Sequence, residues 1–306
     1  MQSDLPEVRM SEIRRVLCPV DFSDASRHAL DHAVMIAGWY RARITALHVR
    51  HPAFLVEPPI LMTEFSDAVT ELADAEARLH QWLSPVRAAG IPCDVMAVDG
   101  SSPAPRIVDA AEQIGADLIV LGTHGRSGFE RLLLGSVTER VVRTARVPVV
   151  TVPPPSVATS RLPFKRVLCG VDFSEPSMAA LRYALSIAKE SDSALTLLHV
   201  VEFPFEGETF SSQPFDMDAY RAAVRADAER RLAELITDEV RAWCSPDIAL
   251  VTGRPYEAVL AVAADARADL IVLGVHGRNA LDMMLFGSTT NQVIRRSTCP
   301  VLTLCR

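Results

Sequence analysis

The chain repeats itself, and no other feature limits its possible folds as much. "RRVLCPVDFSDAS" at 14–26 returns as "KRVLCGVDFSEPS" at 165–177, an offset of 151 residues. "ITALHV" (44–49) returns as "LTLLHV" (195–200), "ADLIVLGTHGR" (116–126) as "ADLIVLGVHGR" (268–278), and "VPVVTV" (147–152) as "CPVLTL" (299–304). Matches of this length in the same order mean that one folding unit has been duplicated. A chain of 306 residues has room for two units that each bury their own core. The expected domains are 1–152 and 165–306. "PPPSVATSRLPF" (153–164) reads as the linker, because prolines and small polar residues favour extended chain.

Within each copy, short apolar runs alternate with longer amphipathic stretches. The pattern predicts strands at 14–20, 43–49, 93–98, 117–122 and 147–152, with helices at 24–38, 66–89, 104–114 and 136–145. The second copy repeats the strands at 165–171, 194–201, 247–251, 269–274 and 299–304. Runs such as "DLIVLG" are apolar throughout, as parallel strands covered on both faces must be. The expected fold class is therefore α/β: two tandem doubly wound domains, each a five-stranded parallel sheet of order 3-2-1-4-5 with helices on both faces. The last strand of each copy is an edge strand rich in β-branched residues, which needs covering. The two copies are accordingly expected to pair as a pseudo-twofold unit, either within one chain or across a homodimer.

Composition narrows the partners. A net charge of −7 gives no basic face for nucleic acid. No apolar run is long enough to span a membrane, and the opening "MQSDLPEVRMSEIRR" lacks a signal-peptide core, so the cytoplasm is the expected location. The six cysteines show no C-x-x-C spacing and read as buried, reduced thiols.

The chemistry concentrates in a glycine-punctuated loop. "GTHGRSGFERLLLGS" (122–136) is matched by "GVHGRNALDMMLFGS" (274–288). Gly122, Gly125, Gly135 and Ser136 correspond to Gly274, Gly277, Gly287 and Ser288, whereas Gly128 is replaced by Ala280. In a doubly wound sheet, ligands sit outside the carboxyl ends of the strands where the winding reverses. Asp21 and Asp172 end the first strand there, and Gly122 and Gly274 end the fourth. Bare glycine backbone lets amides approach a bulky anion, and the helix opening at Gly-Ser adds free N–H groups and a positive dipole end. Arg126 and Arg278 follow the second glycine, where a guanidinium can pair with phosphate. Ser136 and Glu139 read as a capping box, which Asn291 simplifies in the second copy. There is no Gly-Lys-Ser/Thr, so this is not a Walker loop.

These motifs resemble the universal stress protein family, over nearly the whole chain and in both copies. G-x2-G-x9-G-[S/T] after the fourth strand, "VDFS" after the first and "LHV" at the end of the second carry the resemblance. It implies an ATP site in each copy, with or without Mg²⁺. Asp21 and Val49, or Asp172 and Val200, would contact adenine. Gly122, Gly125, Gly135 and Ser136, or Gly274, Gly277, Gly287 and Ser288, would hold ribose and phosphates. The function so implied is a nucleotide-dependent stress or signalling role with little or no hydrolysis. The alternatives are a slow ATPase or phosphotransferase, and a scaffold whose sites stay empty.

Several residues admit two readings. His124 and His276 either reach phosphate or metal or bond locally to backbone. Glu130 and Asp282 either hold Mg²⁺ through water or are solvated loop carboxylates. His48 and His199 read as packing residues with a polar tip. The apolar stretches 132–134 and 283–286 are expected to pack the loop down. The copies also differ: "VTGRPYEAVL" (251–260) sets Gly253, the expected ribose neighbour, two residues before Pro255, whereas "VDGSSPAPRIV" (98–108) sets Gly100 three before Pro103. The added residue should shift the first turn and leave the second site the more regular.

Overall fold

The apolar runs form strands and the amphipathic stretches form helices, in one alternating order repeated twice. The computed structural model describes residues 13–51, 64–124, 134–153, 164–203, 216–244, 246–275 and 287–304. The first half comprises β1 (Arg15–Pro19), α1 (Asp24–Tyr40), β2 (Arg43–Arg50), α2 (Glu64–Trp82), α3 (Ser84–Ala88), β3 (Cys93–Asp99), α4 (Pro103–Ile114), β4 (Leu118–Gly122), α5 (Ser136–Thr144) and β5 (Val149–Val152). The second comprises β6 (Arg166–Gly170), α6 (Glu175–Ser191), β7 (Ala194–Val201), α7 (Met217–Leu235), α8 (Asp238–Trp243), β8 (Asp247–Thr252), α9 (Pro255–Asp265), β9 (Leu270–Gly274), α10 (Ser288–Arg296) and β10 (Val301–Leu304).

The strands join into one ten-stranded sheet, β3-β2-β1-β4-β5-β10-β9-β6-β7-β8, so each half has the order 3-2-1-4-5. Pairings inside each half are parallel. The halves meet through one antiparallel pairing, Val301↔Thr151, Leu302↔Val150 and Thr303↔Val149. The edge strands thus cover each other within a single chain. Thr151 and Thr303 are buried at this seam, yet each hydroxyl donates across it, to the carbonyls of Val301 and Val149, both at 3.2 Å. Because side chains alternate along a strand, Val150 and Leu302 enter the core on one face, and Val149 and Val301 the core on the other. Both cores therefore run unbroken from one half into the other.

Local chemistry accounts for the element ends. The Asp of each "ADLIV" ties its strand to the start of the first strand: Asp117 accepts the N–H groups of Arg14 and Arg15, both at 2.8 Å, and Asp269 those of Lys165 (2.9 Å) and Arg166 (3.0 Å). Ser23 and Ser174 cap α1 and α6 through their side chains. The single helix predicted over 66–89 is instead two, α2 and α3. Pro85, in the first turn of α3, has no N–H to continue the preceding helix and would crowd it, so the chain restarts there. Cys18, Cys169 and Cys299 are buried; burial pushes the first two thiols up to about 12 and the third to about 11. Cys305 and linker residues 154–163 lie outside the described residues. Among the described residues, no helix is long and apolar enough to cross a membrane.

Two predictions follow from this packing. The halves should unfold together in urea, and Thr151→Val and Thr303→Val should each lower stability by about 1 kcal/mol, the net worth of one buried hydrogen bond; two separate transitions would contradict the shared core. The second concerns α1, where the His28 ring lies 4.7 Å from the ring of His32 and its Nε2 is buried without a hydrogen bond among the described residues. Burial, and then the neighbouring His32, hold His28 below its ordinary 6.5, against the opposing pull of Asp31. The unfolded chain then binds a proton that the folded one refuses, so this contribution to stability is present above pH 6.5 and is lost as pH falls below it. Melting temperature should drop between pH 7.5 and 5.5, and the drop should be shallower in His28→Gln.

Candidate functional site

The winding of each half reverses between its first and fourth strands, β1 and β4 or β6 and β9, and in doubly wound sheets the ligand crevice lies outside the carboxyl ends at this point. Asp21, Val49 and Gly122 stand at the ends of β1, β2 and β4, with Asp172, Val200 and Gly274 at the matching ends of the second half. The helix starts at Ser136 and Ser288 complete each rim. Gly125, Arg126, Gly128, Glu130, His276, Gly277, Arg278 and Asp282 lie outside the described residues.

The aspartates build the turn after the first strand. Asp21 Oδ1 accepts the N–H (3.0 Å) and the hydroxyl (2.5 Å) of Ser23, whose hydroxyl in turn accepts the N–H of Ser26 (3.2 Å). Asp172, Ser174 and Ser177 repeat the chain of bonds at 3.0, 2.5 and 3.4 Å. The residue between, Phe22 or Phe173, is forced into the left-handed region at φ 65° or 62°. For a side chain of this size that costs roughly 1–2 kcal/mol, so something must hold it. Each phenyl is packed by an imidazole and a guanidinium: His48 lies 4.6 Å from the Phe22 ring and the Arg78 guanidinium 3.9 Å from its centroid, while His199 lies 4.8 Å and Arg231 3.8 Å from Phe173. Cation–π contacts contribute about 0.5–2 kcal/mol, enough to offset much of that strain. Sequence reasoning missed Arg78 and Arg231, although the duplicated "ADAEARL" (73–79) and "ADAERRL" (226–232) signal them.

His48 and His199 are packing residues with a polar tip, as read from the sequence. Each Nδ1–H donates to a carbonyl, of Val20 at 2.7 Å and of Val171 at 2.6 Å.

The glycines at the ends of β4 and β9 have a packing role as well as an open backbone. A Cβ on Gly122 would come within 3.0 Å of the Ala25 carbonyl oxygen, and one on Gly274 within 2.8 Å of the backbone of Pro176 and Ser177. Only glycine lets α1 and α6 begin this close to the sheet. The loop then returns onto the strand, with Gly135 N–H donating to Thr123 O (2.9 Å) and Gly287 N–H to Val275 O (3.2 Å).

The expected capping box does not form. Gly135 is the N-cap of α5, Ser136 is its first helical residue, and no side chain caps the helix. The start is pinned instead by Thr138, whose hydroxyl donates to the Gly122 carbonyl at 2.8 Å, and in α10 by Thr290, which donates to Gly274 at 2.8 Å. The physical reason is position: one residue inside the helix, Ser136 points outward and is exposed, whereas Thr138 is buried against the strand end. The first N–H groups of a helix have no intrahelical partner and, with the positive end of the helix dipole, favour anions.

His124 bonds to the Thr123 hydroxyl (Nδ1 to Oγ1, 2.9 Å) rather than to backbone, and its Nε2 is buried without a partner among the described residues. Burial holds it below the ordinary imidazole range, so it is neutral at neutral pH. Leu134 is buried in the core and anchors the end of the loop; residues 132, 133 and 283–286 lie outside the described residues.

The rims differ at the turn after the third strand. Gly253 is exposed at φ 145° with no atom of the described residues within 4 Å of where its Cβ would be, whereas Gly100 is buried and keeps an ordinary φ.

Comparison with known proteins agrees with this architecture. A sequence profile of the universal stress protein family matches residues 12–153 and again 163–304. The universal stress protein Rv2005c of Mycobacterium tuberculosis is 32% identical over 212 residues, 66% of this chain and 65% of that protein, so the match spans about two thirds of the relative. A universal stress protein of Mycolicibacterium smegmatis is 27% identical over 94% of this chain and 95% of its own. Among solved structures, a universal stress protein from Archaeoglobus fulgidus superposes with a TM-score of 0.66 at 27% identity, covering 97% of each chain. Matched twice along its length, the chain belongs to the universal stress protein family and carries that family's domain as a tandem pair.

Proposed function

We propose that each half binds one adenine nucleotide, ATP with or without Mg²⁺, and that occupancy biases shape or partner choice in a cytoplasmic stress or signalling role with little or no hydrolysis. The binding units are the domains 1–152 and 165–306, joined by the linker 153–164. The observation that carries the reading is the rim built twice: a helix start pinned by Thr138 or Thr290 beside Gly122 or Gly274, within the full G-x2-G-x9-G-S spacing. Such a helix start suits phosphate through its N–H groups and dipole. Arg126 and Arg278 add charge, and Gly125, Gly135, Ser136 and their counterparts Gly277, Gly287 and Ser288 add backbone. Asp21 with Val49, and Asp172 with Val200, form the adenine end.

Binding rather than turnover is favoured by the residues at hand. The chain has two lysines, Lys165 and Lys189, both in the second half. Lys165 starts the strand run at the end away from the crevice, its Nζ on the Ser191 carbonyl at 2.6 Å. Lys189 lies in the last turn of α6, at the same far end, so neither crevice has the lysine that phosphoryl-transfer sites use against the β- and γ-phosphates.

Chromatography of the denatured, purified protein should release adenine nucleotide, and its absence together with no heat on titrating ATP would remove the reading. Magnesium-dependent hydrolysis should stay below about 1 s⁻¹, the low end of ordinary enzymes; a faster rate that disappears in Glu130→Ala or Asp282→Ala would make the protein an ATPase. Loss of the pinning hydrogen bond in the double variant Thr138→Val/Thr290→Val should weaken ATP about fivefold, and unchanged affinity would show that the helix start does not hold the ligand.

A further inference from the structure

The two crevices share a frame but not a rim. Register places Arg50 opposite Asp99 at the ends of β2 and β3, and Val201 opposite Thr252 at the same point in the second half. In the first half that pair is ionic: Arg50 Nε and Nη2 meet both carboxylate oxygens of Asp99, at 2.6 and 2.9 Å, and Nη1 meets Glu71 of α2. One residue further on, the halves diverge again. The point where a Gly100 Cβ would sit is already taken, with Arg106 Cγ 2.7 Å away, Arg106 Nε at 3.3 Å and Val49 Cγ1 at 3.3 Å. Around the equivalent point on Gly253 no atom of the described residues lies within 4 Å. Arg106 belongs to the first turn of α4, and the residue 152 positions later is Ala258.

The cause lies in the turn. Two residues separate Gly100 from Pro103, and only one separates Gly253 from Pro255. Gly253 absorbs the shorter connection at φ 145°, and among the described residues none fills the space beside it. The longer connection lets Gly100 stay ordinary, and the Arg106 stem folds back over it towards Val49. Among the described residues the guanidinium of that side chain meets one carboxylate, Asp109 at 3.8 Å, and the side chain as a whole is 54% exposed, so such a surface pair holds it weakly.

We propose that Arg106 sets the order in which the two crevices fill. Its stem occupies the β2–β3 end of the first, so a nucleotide enters the second crevice as it stands and the first only after Arg106 moves aside. Arg106 is thus a selectivity-determining residue for the first site. This inference rests on the adenine-nucleotide reading above.

The test uses the full chain, with ATP calorimetry and 8-azido-ATP photolabelling mapped by mass spectrometry. In the unaltered protein, label at substoichiometric nucleotide should fall in peptides from 165–306, ahead of a weaker second event. Arg106→Ala should tighten the weaker event by about tenfold, roughly the cost of displacing one ordered long side chain, and spread the label over both halves. Arg106→Lys, which keeps a long flexible stem, should behave like the unaltered protein. Two equal binding events, first label in the first half, or an Arg106→Ala profile identical to the original would each overturn the proposal while leaving nucleotide binding intact. No heat and no label in any of the three proteins would overturn both together. Arg106 is exposed, and an unchanged melting temperature will verify that its variants fold.

Discussion

The antiparallel pairing of β5 with β10 is the contact on which the rest of the molecule depends. Each half alone would end in a short strand of buried residues with unpaired backbone groups, an edge that sheets ordinarily protect. Paired, the two strands satisfy those groups and draw two threonines into a hydrophobic seam, each donating to the opposite strand. The direction of pairing also fixes the position of the sites. Strands are parallel within a half and antiparallel across the seam, so the carboxyl ends of β1 and β4 point opposite to those of β6 and β9. The two crevices therefore open at opposite ends of one sheet. Ligands in them cannot touch, and any coupling must pass through the shared sheet and the cores on its two faces.

Much of this could be read from residues. The 151-residue offset, the uniformly apolar runs and the spacing of glycines lead directly to two doubly wound halves, because burial on both faces leaves a parallel strand no other pattern. Three parts resisted. A helix over 66–89 follows the apolar period faithfully, but period says nothing of the missing N–H at Pro85. The capping box failed because S-x-x-E is a local rule, whereas the helix start is set by a tertiary bond from Thr138 to Gly122, sixteen residues away in sequence. The cluster of Arg78, Phe22 and His48 draws on a helix, a turn and a strand, and no window of sequence contains all three.

Comparing the two halves separates what holds the frame from what tunes the rim. The residues that tie strand to strand and helix to sheet occur in both: Asp117 and Asp269, Ser23 and Ser174, Thr138 and Thr290, Arg78 and Arg231, each pair in the same geometry. Glycines 122 and 274 belong to this set, since in both places helix backbone fills the space a side chain would need.

Several differences fall at the carboxyl ends of the strands. Thr123 becomes Val275, so the hydroxyl that bonds His124 has no counterpart; Glu139 becomes Asn291; Arg50 and Asp99 become Val201 and Thr252; and Arg106 becomes Ala258. None of these positions lies in the β5–β10 seam, and the Arg50–Asp99 pair ties only the carboxyl ends of β2 and β3, whose backbone pairing the second half keeps with Val201 and Thr252. A duplicated frame with unlike rims can present two affinities to one ligand at opposite ends of a rigid sheet, and a single chain then has distinct empty, half-filled and filled forms. In a pair of identical subunits the two half-filled forms would be the same species; in this chain they would be different species, and the rim residues would decide which one is populated.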